Sequence, residues 1–498
     1  MAKLIPTLLS TVGQRTGGAH ASAILLTCAV WVLCGMLTAT AQTDDVQISI
    51  NLQNSSRITI EGRLSAGAED WSFRNVYAGL SGLGERISGL SLNDDHGASV
   101  VVRKLTPGEY KSDAKAVRFR YEMKLDPPAA NAAAAHVSWL SDGYGVLMLG
   151  DLLPVRSSIR ASVRLKVPAN WGVSSTEQRT SHNIYEVSDP DQALFFVGEN
   201  LRERNFRDGD FSFLFATIGA WAFDDGDAAN LAMNLFREHR RVIGRRPQKK
   251  VLTVIAPFPH PAENSEWSAE TRGATVFLLA GRASSKNAAL AQLSTPLAHE
   301  LLHLWVPNDL ALSGDYEWFY EGFTLYQAMR VAMRLGYLNF HDYLKALGRA
   351  YDGYFAAERL GQLSLVDASR RRWTGAGALI YNKGMLVAFL YDLTLRQYTQ
   401  GTRSMDDIYR KLLRHSVQDS ERREGNLVVI ETLESMPGMT EFTTRHIESS
   451  MSIDLPVSVQ SFGLLANRFG ARTHVSVAES LSRAQRHVLA GLGYSAQP

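Results

Sequence analysis

The stretch STPLAHELLHLWVP, residues 294–307, has the features of one helix with marked ends. Ser294 or Thr295 can cap its amino end, and Pro296 suits the first helical turn. Pro307 limits the carboxyl end, because a proline does not continue a helix. The sequence therefore predicts a short helix that carries three polar residues within an apolar segment.

Two histidines on this helix are spaced so that both could bind one metal ion. His299 and His303 are four residues apart, so their side chains face the same way. Glu300 would lie beside the ion, where its carboxylate can take a proton from water. The same letters also fit an ordinary helix, since the chain contains 13 histidines. A third ligand is needed to decide between a zinc site and that alternative.

The stretch GDYEWFYEGFTLY, residues 314–326, offers a carboxylate as that ligand. A catalytic zinc site of this type uses two histidines and one carboxylate and leaves a fourth position for water. Glu317 and Glu321 are four residues apart, so a helix could present both on one face. Aromatic residues surround them, and a carboxylate in apolar company is usually paired or bound. The residue pattern leaves the choice between the two acids open.

Tyr381 lies in GALIYNKGMLVAFLYDLTLR, residues 377–396, an otherwise apolar helical pattern. A phenol near a zinc site could donate a hydrogen bond to the oxyanion formed during hydrolysis. A tyrosine in such a helix is more often part of the core. Both readings of Tyr381 stay open on the pattern alone.

Together these stretches resemble the glycyl aminopeptidase family, which is related to the aminopeptidase N-like zinc peptidases. HELLHLW is similar to its zinc helix, WFYEGFTLY to its W-x-x-E-G-F-T block, and YNKGMLV to its Y-x-K-G-x-L-V block. The resemblance covers about residues 190–465. It implies one zinc ion, with Glu321 rather than Glu317 as the third ligand, and Tyr381 as the group that stabilises the transition state.

Related enzymes hold the free amino group of the substrate with a glutamate that precedes an edge strand. The matching stretch here is SAETRGATVFLL, residues 268–279, which places Glu270 near that position without its usual neighbours. The resemblance thus implies that Glu270 binds the substrate amine. The alternative is that Glu270 is an ordinary loop residue. A second departure follows Trp305, where the chain reads Val-Pro-Asn.

Alternating apolar and polar residues dominate the chain from residue 46 to about residue 185. VQISINL, RITIEGRL, AVRFRYEMKL and ASVRLKV have the period of half-buried antiparallel strands. A small mixed sheet and then helices follow, and residues 257–274 are expected to form a loop. The predicted fold is α+β and multidomain, with an antiparallel β-sandwich-like domain, a thermolysin-like zinc catalytic domain implied by the resemblance, and a helical C-terminal region. The expected divisions are a signal peptide over 1–41, the β-domain over 42–185, the catalytic domain over 186–400 and the helical region over 401–498.

Residues 1–41 have the layout of a secretory signal peptide, with an apolar run over 21–37 and the small-residue stretch ATAQ after it. An uncleaved anchor helix in the membrane is the alternative, but the run is slightly short for a bilayer span. Cys28 and Cys34, the two cysteines of the chain, both lie in this segment. We therefore expect an exported protein, periplasmic or secreted, that is stable without disulfides.

The charge of the chain argues against a polyanionic partner. The formal net charge is +2, and removing Lys3 and Arg15 with the signal peptide would bring it to 0. We accordingly expect neither nucleic acid nor, after cleavage, a membrane as a partner. The expected function is an exported zinc peptidase acting on peptides, with aminopeptidase activity favoured over endopeptidase activity. The alternative is a binding or scaffold protein that keeps the fold with weak or no catalysis.

Overall fold

A computed structural model of the chain describes residues 46–52, 56–155, 160–358, 362–415 and 422–495. The predicted signal peptide therefore lies outside the described residues. Across the described part of the chain, no helix is both long enough and apolar enough to cross a membrane.

The N-terminal part of the chain forms two packed sheets, as the alternating pattern predicts. Buried Ile48, Ile60 and Tyr121 of the larger sheet share one core with Leu147 and Phe195 of the smaller. The larger sheet follows the order Gln178–Ser181, Ile184–Val187, Ala161–Lys166, Val46–Leu52, Arg57–Ser72, Glu109–Lys124, Ile87–Asn93 and Ser99–Val100, with Val102–Thr106 also paired to Glu109–Lys124. The smaller follows the order Trp171–Ser174, Leu194–Glu199, Tyr144–Met148 and Trp139–Ser141.

A two-stranded hairpin, Val76–Tyr77 with Leu80–Ser81, extends from this part of the fold. Its turn residues Ala78 and Gly79 both have positive φ, 48° and 80°. Two consecutive residues of that kind form the tight turn whose twist matches the flanking strands. The turn therefore fixes the direction in which Tyr77 projects.

A five-stranded mixed sheet follows, in the order Arg202–Asp208, Phe211–Thr217, Lys250–Pro257, Thr275–Ala280 and Trp267–Arg272. The strand Trp267–Arg272 is antiparallel to its neighbour and lies at the edge. The expectation of a loop over 257–274 is wrong for this segment. Its polar residues weaken the strand pattern in the sequence, but tertiary hydrogen bonds satisfy them, as with the Thr271 hydroxyl on the Glu300 carboxylate.

The helix that carries HELLH begins earlier than predicted. It spans Lys286–His303, and the Ser285 side chain caps it by accepting a hydrogen bond from the Ala288 amide. Pro296 lies inside the helix rather than in its first turn, so the predicted start at Ser294 or Thr295 is wrong. An interior proline removes one backbone hydrogen bond, and the flanking helix formers and the buried packing of this segment keep the helix continuous.

The rest of the chain after the mixed sheet is mainly helical. Two short π-helical turns contain predicted site residues. Trp318–Phe323 contains Glu321 and leads into the helix Thr324–Arg334. Leu379–Lys383 contains Tyr381 and leads into the helix Gly384–Tyr398. Within the described ranges, the other helices of five or more residues are Asp225–Ile243, Phe340–Glu358, Leu365–Arg370, Met405–His415, Gly425–Glu434, Thr444–Glu448, Leu455–Gln460 and Arg483–Ala490. The α+β architecture predicted from the sequence is confirmed.

One C-terminal element departs from the expected run of helices. Strands Leu464–Phe469 and Arg472–Val477 form a hairpin, and the last helix of the described residues is Arg483–Ala490. The hairpin packs on the helix Phe340–Glu358, where Asp352 accepts hydrogen bonds from the Thr473 amide and hydroxyl. These tertiary contacts favour strand over the helix that the local pattern suggests.

Candidate active site

His299, His303 and Glu321 converge in one buried cluster, with their potential ligand atoms all within 4.8 Å of one another. His299 Nε2 lies 3.2 Å from Glu321 Oε2 and 3.0 Å from His303 Nε2. His303 Nε2 lies 3.6 Å from the same carboxylate oxygen. Glu317 is not part of this cluster. The structure thus joins the two histidines to the acid that the family resemblance selects.

The donor set of this cluster fits a zinc ion. Two imidazoles and one carboxylate are the ligands of catalytic zinc sites that keep a fourth position open. His303 Nδ1 lies 2.8 Å from the Val306 carbonyl oxygen, which orients the ring so that Nε2 faces the cluster. Val306 belongs to the stretch after Trp305 where the sequence departs from the family. The contact uses a backbone oxygen, so it does not depend on which side chain stands at position 306.

The carboxylate of the cluster is ionised near neutral pH. Burial raises the pKa of Glu321, but hydrogen bonds from His299 and His303 outweigh it and bring the pKa well below its ordinary value. Burial lowers the pKa of His303, but the hydrogen bond and charge of Glu321 outweigh that and raise the pKa to about 9. Glu321 is therefore an ionised carboxylate, and His303 carries a proton that the binding of a metal ion would release.

Glu300 is buried beside the cluster and is held by the edge strand. The Thr271 hydroxyl lies 2.7 Å from Glu300 Oε2 and 2.7 Å from the Glu300 carbonyl oxygen. The contact fixes one carboxylate oxygen of Glu300. Sequence reasoning missed Thr271, because the strand that carries it was expected to be a loop.

Tyr381 lies against the same cluster and stays protonated. Burial, and then the charge of Glu321, raise the pKa of Tyr381 far above its ordinary value. Its helix approaches that of Glu321 through two glycines, since a Cβ on Gly322 would meet the Gly384 Cα at 2.6 Å. This close approach places the Tyr381 phenol near the Glu321 carboxylate.

Glu270 lies on the edge strand rather than in a loop, and its carboxylate accepts from three side chains. The Tyr77 hydroxyl donates to Oε1 at 2.7 Å, and Arg272 Nη2 donates to Oε1 at 3.0 Å. His136 Nδ1 contacts Oε2. Burial raises the pKa of Glu270, but His136, Arg272 and Tyr77 outweigh it and lower the pKa. Glu270 is thus ionised and already bonded to protein donors.

All six residues proposed from the sequence border one cavity of about 680 Å³. The structure adds Tyr77, His136, Thr271 and Arg372 to its walls. Arg372 Nη2 lies 3.5 Å from Glu321 Oε1, on the oxygen that does not contact the histidines. Tyr77 and His136 come from the N-terminal part of the chain, and no local pattern in the sequence links them to the HELLH helix.

No protein-family model matches the chain, and no curated protein matches it. Solved structures do match. An aminopeptidase N family protein from Idiomarina loihiensis superimposes with a TM-score of 0.72 at 16% identity, over 85% of this chain and 79% of that one. The chain has the fold of the M1 zinc metallopeptidases.

Two further M1 structures agree with this assignment of the fold. A variant of an M1 zinc metallopeptidase from Deinococcus radiodurans, bound to a Tyr-Ser-Ala substrate, has a TM-score of 0.53 at 14% identity. The superposition covers 83% of this chain and 94% of that one. The M1 zinc metallopeptidase from the same organism gives a TM-score of 0.51, also at 14% identity, over 82% of this chain and 95% of that one. At these identities the likeness establishes the M1 fold, and function has to be argued from the site.

Proposed function

We propose that this protein is an exported zinc-dependent peptidase that removes residues from the amino end of peptides. The observation that carries the proposal is the buried convergence of His299, His303 and Glu321 beside the carboxylate of Glu300. Buried charges in proteins are paired or coordinate metal ions, and two imidazoles that face one carboxylate form the donor set of catalytic zinc sites. The M1 fold supports the same reaction class.

The hydrolytic roles follow from where each side chain lies. His299, His303 and Glu321 would hold one zinc ion, which when bound makes water more acidic and polarises a carbonyl group. Glu300 takes the proton of the attacking water and passes it to the leaving amine. The Thr271 hydroxyl holds Glu300 in place during both transfers. Tyr381 remains protonated and donates to the carbonyl oxygen as negative charge develops on it.

Glu270 supports an aminopeptidase over an endopeptidase. Its ionised carboxylate borders the same cavity as Glu300, one strand residue away from the Thr271 contact. Arg272 is 3% exposed and stays in place, whereas the His136 side chain is 27% exposed. The substrate ammonium group accordingly replaces His136 at Glu270 Oε2. A free amino end then lies within reach of the hydrolytic centre.

A peptide-library digest with zinc-loaded protein tests this function. We expect stepwise loss of single residues from the amino end, read by mass spectrometry, because Glu270 anchors the free amine. An N-acetylated copy of the library should resist, and a metal chelator should abolish hydrolysis in both libraries. Equal hydrolysis of acetylated peptides would reject the aminopeptidase assignment but keep the peptidase. Intact libraries under all conditions would favour the binding or scaffold protein.

A further inference from the structure

The cavity has a wall from the N-terminal part of the chain that the proposed chemistry does not use. Tyr77 and Ala78, at the end of the Val76–Tyr77 strand and in the turn that follows, border the cavity. Tyr77 sits where the hairpin reaches the edge strand Trp267–Arg272, through its hydrogen bond to Glu270. Two properties of Tyr77 indicate its role: the contacts that fix its side chain, and its position in the cavity wall.

Tyr77 is fixed by several independent contacts. Its hydroxyl donates to Glu270 Oε1 at 2.7 Å. The guanidinium groups of Arg74 and Arg272 lie over its ring, 4.8 Å and 4.9 Å from the ring centre. Arg74 is itself paired at 3.0 Å with the fully buried carboxylate of Asp151. Cation–π contacts with partly desolvated guanidinium groups hold an aromatic ring in place.

The protonation state of Tyr77 keeps this arrangement constant near neutral pH. Burial raises the pKa of Tyr77, and the charge of Glu270 adds to that effect, while Arg272 opposes it; the result is a pKa of about 12. The hydroxyl is therefore a neutral donor to Glu270 across the pH range in which peptidases are assayed. Tyr77 thus behaves as a rigid part of the cavity wall.

Consecutive residues of the edge strand contact Glu300 and Tyr77. Thr271 contacts Glu300, and the preceding residue, Glu270, contacts Tyr77. Trp267 to Thr271 all border the cavity, so an extended peptide can lie beside this strand. A peptide whose free amine is bound by Glu270 has its amino end next to Tyr77, because the Tyr77 hydroxyl is bonded to the same carboxylate.

From these contacts we propose that Tyr77 is a specificity-determining residue that blocks the cavity beyond the first substrate residue. The inference rests on the proposed aminopeptidase function and deepens it. The ring occupies the space that the second residue of an amino-terminally extended or acylated substrate would need. Tyr77 therefore limits cleavage to the first peptide bond, in addition to any selection of the free amine by Glu270.

Replacing Tyr77 tests the proposal through the position of cleavage. We expect Tyr77→Ala and Tyr77→Leu to release dipeptides from a tetrapeptide and to hydrolyse its N-acetylated form. The ratio of kcat/KM for acetylated over free peptide should rise at least about 10-fold, as expected when a pocket gains space for one more group. Tyr77→Phe keeps the ring, so its first product should remain a single residue whatever its rate.

Val76→Ala is the matched control, because Val76 lies on the same hairpin, is 63% exposed and does not border the cavity. Zinc content and melting temperature of each variant show that the fold is kept. A wild-type protein that releases single residues, with Tyr77→Ala and Tyr77→Leu giving the same products and ratio, overturns the role of Tyr77. A wild-type protein that hydrolyses no peptide overturns the proposed function itself, and the role of Tyr77 falls with it.

Discussion

Glu300→Gln is expected to lower kcat/KM for peptide hydrolysis by about 10²–10⁴-fold, the range in which general-base catalysis contributes. Glutamine has the same shape but takes no proton from water. Its side-chain oxygen can still accept the hydrogen bond from the Thr271 hydroxyl, so the local geometry is kept. Because Glu300 is outside the cluster of His299, His303 and Glu321, the variant should bind zinc as the wild type does.

The measurement pairs steady-state hydrolysis with metal analysis of the same sample. Glu317→Gln is the matched control, since Glu317 is also a buried glutamate near the site but does not border the cavity. It should retain both zinc and most of the activity. A Glu300→Gln protein that hydrolyses peptides at the wild-type rate would remove Glu300 from the reaction.

Glu321→Gln is expected to weaken zinc binding by more than about 100-fold. Loss of a partner that only orients a ligand already costs roughly 10–100-fold in metal affinity, and Glu321 is proposed as a ligand itself. The substitution removes the negative charge that two imidazoles face at 3.2 Å and 3.6 Å. Hydrolysis should be lost at zinc concentrations that saturate the wild type.

Zinc titration of Glu321→Gln and Glu317→Gln side by side shows which of the two glutamates binds zinc, a choice that the sequence pattern alone did not decide. Both substitutions remove one negative charge from neighbouring turns of the same segment. If Glu317→Gln loses zinc and Glu321→Gln keeps it, the ligand set argued from the structure is wrong. Unchanged affinity in both variants would place the zinc elsewhere.

The proposed zinc cluster could be predicted because the residues that form it lie in short, recognisable stretches of the sequence. His299 and His303 are one helical turn apart, and the block around Glu321 has a recognisable composition. Helix geometry alone then gives both imidazoles one direction. The start of that helix was predicted less accurately. Pro296 fits the first turn of a helix by its sequence pattern, but it lies in the interior of the helix. Tertiary packing overrides the local signal of such a proline.

The surroundings of Glu270 could not be predicted for a different reason. Tyr77 and His136 are 193 and 134 residues away from Glu270 along the chain, and only the folded structure brings them together. The strand that carries Glu270 was also missed, because its polar residues find their partners in other elements. Information of this kind resides in tertiary contacts and has no local pattern in the sequence.

Zinc content of the wild-type protein is the measurement that tests the central claim most directly. The protein would be stripped with a chelator, dialysed against buffer that contains zinc, and then dialysed free of excess before metal analysis. The buried cluster of His299, His303 and Glu321 predicts one zinc ion per chain. A folded protein that retains no zinc after this treatment would contradict the account.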